Sequence, residues 1–427
     1  MTHRYRLTDV RVFDGLDRVI ERAWVEIDGD RIAVVEDAVA HPPPSGDGVP
    51  SYALGGATLL PGLIDAHTHL VGGDVVAGAQ DYATSRRLAE SSGLTAYRTL
   101  AAAQHTLRRG FTAVRDLTGR DYLDVDLAHA VDAGIVTGPT VRAAGLGLTI
   151  TGGHVHQRCV EVDGELEVRK EVRRQVKRGV HWIKLMGVTG GMSSAGRHPL
   201  AAQFTLAEVR AGVEEAHRAG VKVAAHAHGG EGIMNAIEGG VDTVEHGLFL
   251  DDRSAERMAE RGTVLVATLM NEMKYAEALE RGLVPETALR QRQRLADEGF
   301  VMPSPEERMA IARRHGVRVI AGTDAGGNAM VRHGENANEL VMLQRTGFSA
   351  LEALAAATGH AADVVGLPGR GRVITGAIAD LVLTPFDATR DAAVMAREDA
   401  IAAVIKGGTV VHVGSGSSPL AARQFEA

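Results

Sequence analysis

At 427 residues, with 45% hydrophobic and 23% charged side chains, the chain has an ordinary globular composition and room for a large domain plus a smaller one. A formal net charge of -8, with no basic block, argues against nucleic acid as a partner. The single cysteine, Cys159, excludes an internal disulfide, fits a reducing compartment and has no partner motif, so it reads as an inert thiol. The first residues lead into polar and apolar alternation, not a signal-peptide core, and no apolar run reaches the about 18 residues of a membrane span. The expectation is a cytoplasmic protein with no membrane partner.

In chain order, residues 5–13, 23–28 and 31–36 read as strands separated by the turn signals Asp14-Gly15 and Asp28-Gly29-Asp30. A proline-rich loop follows at 41–46. At the other end, residues 380–383, 400–406 and 409–413 are again strand-like. Residues 1–57 and 366–427 therefore read as two halves of one small β-domain, with 58–365 inserted between them.

The middle has a different rhythm. A first apolar run at 59–64 precedes a helical region at 83–109. Further β-rich runs occur at 112–117, 140–148, 180–186, 221–227, 242–247, 263–269 and 317–323. Helical patterns such as 206–219 and 306–315 lie between them, and Gly110, Gly179, Gly220 and Gly316 stand where helix C-caps belong. Eight strands, each with room for a helix after it, make the α/β pattern of a (β/α)8 TIM barrel. A closing helix is expected at 349–358, and residues 271–304 form an excursion expected to add helices near the site.

In such a barrel, chemistry sits at the C-terminal strand ends. His67 and His69 end the first strand, and a spacing of two puts both imidazoles on one face. An isolated His-x-His is an ordinary loop feature. Here later strand ends add Lys184, His226 with His228, Glu245-His246 and Asp324. Nitrogen and oxygen donors of this kind suit zinc or another divalent first-row ion.

The order of Pro-Gly-Leu-Ile-Asp-Ala-His-Thr-His at 61–69, Lys184, His226, Glu245-His246-Gly247 and Gly322-Thr323-Asp324-Ala325-Gly326 resembles the amidohydrolase superfamily. Ala379-Asp380-Leu381-Val382-Leu383 resembles the strand that returns to that family's β-sandwich, built from both chain ends. Thr151-Gly152-Gly153-His154 and Thr189-Gly190-Gly191 are similar to its Xaa-Pro dipeptidase and ochratoxinase-like branch. The sequence departs from that branch at Val155-His156-Gln157-Arg158, where Gly-Asp is expected.

The resemblance implies two divalent ions, zinc foremost, with His67, His69 and Asp324 on one, His226 and His246 on the other, and N-carboxylated Lys184 bridging them. A hydroxide between the ions would be the nucleophile, and Asp324 its general base and then the acid for the leaving amine. His154 is expected to contact the substrate carbonyl or carboxylate, with His228 and His333 as further substrate groups. For Lys184 the alternative is a salt bridge to Asp324 or a neighbour, and for His154 a solvent-facing loop. Arg332 can face substrate or solvent, and Arg158 and Arg197 are candidate carboxylate partners by type alone.

The expected reaction is hydrolysis of a dipeptide or N-acyl amino acid, and the likeness to that branch implies a homo-oligomer. The altered loop keeps open a cyclic amide, carbamate or urea as substrate. A non-catalytic scaffold conflicts with all six expected ligands being present.

Overall fold

A computed structural model describes residues 4–72, 90–190, 198–284 and 286–414. The N-terminal segment gives five strands, β1 (Arg4–Phe13), β2 (Val19–Asp28), β3 (Arg31–Asp37), β4 (Ser51–Ala53) and β5 (Thr58–Pro61). The β1–β2 turn forms because the Asp14 carboxylate accepts from the backbone N–H of Leu16, Asp17 and Arg18 at 2.8, 3.1 and 3.1 Å. Asp9 takes a φ of 51°, and the register shifts there, so the two halves of β1 serve β4 and β5 in turn.

The first apolar run divides at Gly62. Leu59 and Leu60 of β5 pair with Leu383 and Val382 in the terminal sheet, and only β6 (Leu63–Thr68) belongs to the barrel. The terminal sheet thus reaches Pro61, past the boundary expected at residue 57. A Cβ on Gly62 would lie 2.0 Å from Thr112 Oγ1, so the crossing needs glycine.

The barrel continues through β7 (Phe111–Asp116), β8 (Thr140–Ala143), β9 (Gly147–Thr149), the short flanking β10 (Cys159–Glu161), β11 (Trp182–Leu185), β12 (Lys222–Ala227), β13 (Thr243–His246), β14 (Val264–Val266) and β15 (Val319–Ile320). All neighbouring pairs are parallel. The run expected at 140–148 is broken by Gly145, at φ 66°, into β8 and β9, which together fill one position of the wall. Closure is by backbone hydrogen bonds between the β6 and β15 regions: Ala66 N–H to Ala321 O at 3.0 Å, Asp324 N–H to His67 O at 2.8 Å, and His69 N–H to Ala325 O at 2.8 Å. Gly322 permits this approach, since its Cβ would lie 2.9 Å from that of His67.

Helices cover the outside, each with local reasons to start and stop. Leu206–Arg218 begins in a Thr205/Glu208 capping box, and Pro305–Arg314 in a Ser304/Glu307 box with proline in its first turn. Of the helix expected at 83–109, Ser92–Arg108 is observed, and 83–89 lies outside the described residues. The 271–304 excursion supplies Leu269–Glu280 and Glu286–Asp297. Helix Gly359–Val365 packs Ala361 and Val365 with Ile64, Trp182, Ala224 and Ile320 at the strands' N-terminal side, and Trp182 donates to Val365 O at 3.1 Å.

The chain then returns through β16 (Leu381–Thr384), β17 (Ala403–Lys406) and β18 (Thr409–Val413), which complete the sheet in the order β18-β17-β16-β5-β1-β2-β3. Tyr5, Leu7, Ile27, Leu381 and Ile405 share its buried core. The architecture is a (β/α)8 barrel with a small terminal β-sandwich. No helix among the described residues is long and apolar enough to cross a membrane.

Candidate metal centre

Asp65 fixes the two strands that carry the first ligand group. Its carboxylate accepts from His67 N–H (3.1 Å), Thr323 N–H (3.0 Å), Thr323 Oγ1 (2.6 Å) and Asn336 Nδ2 (2.7 Å). His67 and His69 then face Asp324, with His67 Nε2 and His69 Nε2 at 3.5 and 3.0 Å from Asp324 Oδ1. One donor atom from each lies within 4.8 Å of the others, close enough for one ion. Asp324 and His246 hold left-handed backbone at φ 62° and 73°, a costly conformation for non-glycine residues that marks an over-determined site.

Hydrogen bonds assign the tautomers. His67 Nδ1 lies 2.7 Å from Glu245 Oε2, so it carries the proton and leaves Nε2 with a lone pair. His246 Nδ1 lies 2.8 Å from Thr268 Oγ1, whose own hydroxyl donates to Ala267 O at 2.8 Å, so the same assignment holds. Glu245 is fixed in turn by the fully buried Arg115, at 2.9 and 3.1 Å, and Arg115 also donates to Thr243 and to Ala66 O.

The remaining histidines close round the same point. Ring centroids are 4.6 Å apart for His226 and His246, 5.0 Å for His67 and His246, 4.5 Å for His226 and His228, and 4.4 Å for His154 and His226. Burial, followed by neighbouring cations, holds His67, His226, His228 and His246 well below the usual histidine range and His154 at about 4, so all are neutral at physiological pH. Burial also lowers Lys184 from 10.5 to about 8. Burial opposes ionisation of Asp324, but His69, His67 and Lys184 outweigh it and hold its pKa below the usual value.

Three polar atoms at this rim are buried without a hydrogen-bond partner among the described residues: Lys184 Nζ, His226 Nε2 and His228 Nδ1. Buried polar groups are otherwise almost always satisfied. The donor set, nitrogen and carboxylate oxygen, fits divalent first-row ions. No ion pair of Lys184 exists among the described residues, so the salt-bridge alternative is not what the fold builds.

The amidohydrolase family model matches residues 58–411, most of the chain. The chain belongs to the amidohydrolase family. It is 32% identical over 390 residues to ochratoxinase of Aspergillus niger, covering 84% of this chain and 77% of the relative. Among solved structures, a Xaa-Pro dipeptidase with methionine in its active site matches at TM-score 0.83 and 29% identity, over 96% of this chain and 100% of that one. A prolidase complexed with N-methylphosphonate-L-proline matches at 0.82 and 30%, with the same coverage. This amidohydrolase is a hydrolase acting on carbon–nitrogen bonds.

The amidohydrolase centre floors a cavity of about 1190 Å³. His67, His69, Lys184, His226, His246 and Asp324 all line it, as do His154 and His228. His333 does not: it is buried behind His69, with Nδ1 3.1 Å from Thr106 Oγ1 and Nε2 3.4 Å from His69 O. Its ring supports the His69 backbone, a correction to the substrate role expected of it. Arg158 reaches the cavity wall, Arg332 is exposed and absent from the wall, and Arg197 lies outside the described residues. The sequence reading assigned no role to Asp65, Arg115, Thr268 or Asn271. Asn271 Nδ2 donates to Asp324 Oδ2 at 2.5 Å, and the only available signal was its place just after a barrel strand.

Proposed function

We propose that this amidohydrolase cleaves an amide whose leaving group is an amino acid, in a dipeptide or an N-acyl amino acid, at a centre of two divalent ions. Lys184 carries the reading. A side chain only 1% exposed, with a partnerless Nζ among five neutral histidines and Asp324, is poorly accommodated as an ammonium. With a pKa near 8, part of it is neutral at physiological pH, and that amine can add to CO2 and lose a proton to become a carbamate. The carbamate supplies two oxygens sharing one negative charge where the described residues offer Lys184 no other partner.

His67, His69 and Asp324 would hold one ion, His226 and His246 the other, and the Lys184 carbamate both; zinc suits such donors. When bound, such ions activate water and polarise the scissile carbonyl. Asp324, oriented by Asn271 and His69, accepts the proton of the attacking water and delivers it to the leaving nitrogen. His154 and His228, neutral and facing the cavity, orient the substrate with ring N–H groups. The relatives' names fit this class: a dipeptidase, a prolidase and an ochratoxinase.

The test is a mass-spectrometric screen of zinc-loaded protein against a Lys184→Ala control, over dipeptides, N-acyl amino acids, lactams, carbamates and ureas. Release of a free amino acid, absent from the control, is expected. Turnover confined to lactams, carbamates or ureas would overturn the substrate class.

A further inference from the structure

We infer that Arg158 binds a carboxylate on the substrate's leaving group, so that the enzyme requires a free acid beside the scissile bond. The inference rests on the amide-hydrolase reading above and narrows its substrate.

Arg158 is the last residue of the 3-10 turn His156–Arg158, which follows His154 directly. The turn is entered through Val155 at φ 54°, an unusual conformation for a β-branched residue. It is left through Cys159, which pairs with Gly147 in β10 and β9. The backbone on both sides of Arg158 is thereby fixed, and its side chain is delivered to the wall shared with His154 and Asp324.

The guanidinium makes no hydrogen bond or ion pair with any described residue. It feels Cys159, Asp116 and Asp324 through space, but burial keeps the Cys159 thiol protonated and both carboxylates are engaged elsewhere: Asp116 accepts from Leu70 N–H at 2.5 Å, and Asp324 meets His69 and Asn271. Burial lowers its pKa, yet an arginine does not deprotonate in a protein, so the site holds a half-buried cation with no counter-ion among the described residues. The other arginines of the wall differ. Arg292 and Arg345 are exposed, and Arg292 lies over the Tyr275 ring.

A planar fork of donors matches a carboxylate. In an N-acyl amino acid the α-carboxylate stands two bonds beyond the amide nitrogen, so it stays near the rim when the carbonyl is at the metal centre. The apolar part of the wall, with Met273, Tyr275, Leu295 and Phe300, is left for side chains.

The test compares zinc-loaded wild type, Arg158→Met and Arg158→Lys on an N-acyl amino acid and its carboxamide. The wild type is expected to prefer the acid. Arg158→Met should lower kcat/KM for the acid by about 10- to 100-fold, chiefly through KM, and change the carboxamide less than about twofold. Arg158→Lys, with charge but no fork, should fall between. Inhibition by the free amino acid should weaken by the same factor as KM rises. Unchanged melting temperature and zinc content would show that the loss is local. Wild-type indifference between acid and carboxamide, or an unchanged acid preference in Arg158→Met, would overturn the Arg158 assignment and leave the hydrolase reading standing. Turnover of lactams, carbamates or ureas alone would overturn the amino-acid substrate class and the Arg158 assignment with it.

Discussion

Two lysines, Lys184 buried and Lys406 half-buried, show how this fold treats charge. Lys406 ends β17, where its Nζ donates to Asp380 Oδ2 at 2.7 Å and to Thr140 Oγ1 of the barrel at 2.8 Å. Asp380 also accepts from Arg370 Nε and Gly407 N–H, both at 2.8 Å. Lys184 lies deeper, and its Nζ has no hydrogen-bond partner among the described residues. Burial lowers the pKa of both, but around Lys406 the carboxylate of Asp380 offsets the burial directly. Where charge joins the terminal sheet to the barrel, every partner is in place. At the barrel mouth, a lysine and two histidines stand open together, and an unsatisfied cluster of donors facing a cavity is a site that expects a ligand.

The comparison breaks most sharply at Lys184. Lys184→Ala, and His67→Asn beside it, should abolish turnover, and Lys184→Ala should lower bound metal from about two ions toward one or none, read by plasma emission spectrometry. Full activity in Lys184→Ala would end the carbamate reading.

A smaller effect follows from its pKa. Only the neutral amine reacts with CO2, and with a pKa of about 8 its share rises roughly tenfold between pH 7 and pH 9. Metal-stripped protein given zinc at fixed dissolved CO2 should recover activity about that much faster at the higher pH, assayed afterwards at one common pH; a flat profile would contradict it. The stability of the metal-free chain carries the same sign. Between pH 8 and 10.5 the unfolded state binds more protons than the folded one, so the contribution of Lys184 becomes more favourable as pH rises through that window and is least favourable below it.

The difference between the two lysines was only half legible in the sequence. Lys184 stood out because a lysine in an apolar run between Ile183 and Leu185 must enter the barrel, while Lys406 looked like any strand end before a glycine turn. Periodicity located the barrel because parallel strands are apolar on both faces and their helices end at glycine. It misplaced the first strand because 59–64 is apolar throughout, and only Gly62, pressed against Thr112, divides it between two sheets. The candidate ligand positions could be picked out because they end strands. His333 was misread because loop residues carry no period: nothing local says that its ring faces Thr106 and the His69 carbonyl and turns away from the cavity. Glu245 and Arg115 are long-range partners, and such pairing is invisible along one chain.

Lys406 sharpens the contrast from the other side. Lys406→Met leaves Asp380 with Arg370 and removes the link to Thr140, so it should cost about 2 kcal/mol in urea unfolding while kcat/KM stays within about twofold. A large loss of activity at unchanged stability would show that the Lys406–Asp380 pair reaches the catalytic rim, and that joining and binding charge are not separate in this fold.

The smallest expected effect belongs to Cys159, next to Arg158 and close enough to Lys184 to feel its charge. Two neighbouring cations would ordinarily favour a thiolate, and a reactive cysteine would be a plain target for alkylation. Desolvation outweighs both cations and pushes the thiol up to about 12. At pH 8 the thiolate share is therefore minute, and iodoacetamide should label the folded enzyme far more slowly than the urea-unfolded chain, with activity unchanged over the same interval. Cys159→Ala should likewise stay within about twofold in kcat/KM, a change of the size expected when a small half-buried side chain is trimmed. Rapid labelling with loss of turnover would mean that the charges of Arg158 and Lys184 reach the sulfur more strongly than its burial allows, and Arg158 would then be occupied by a thiolate and not free for a substrate acid.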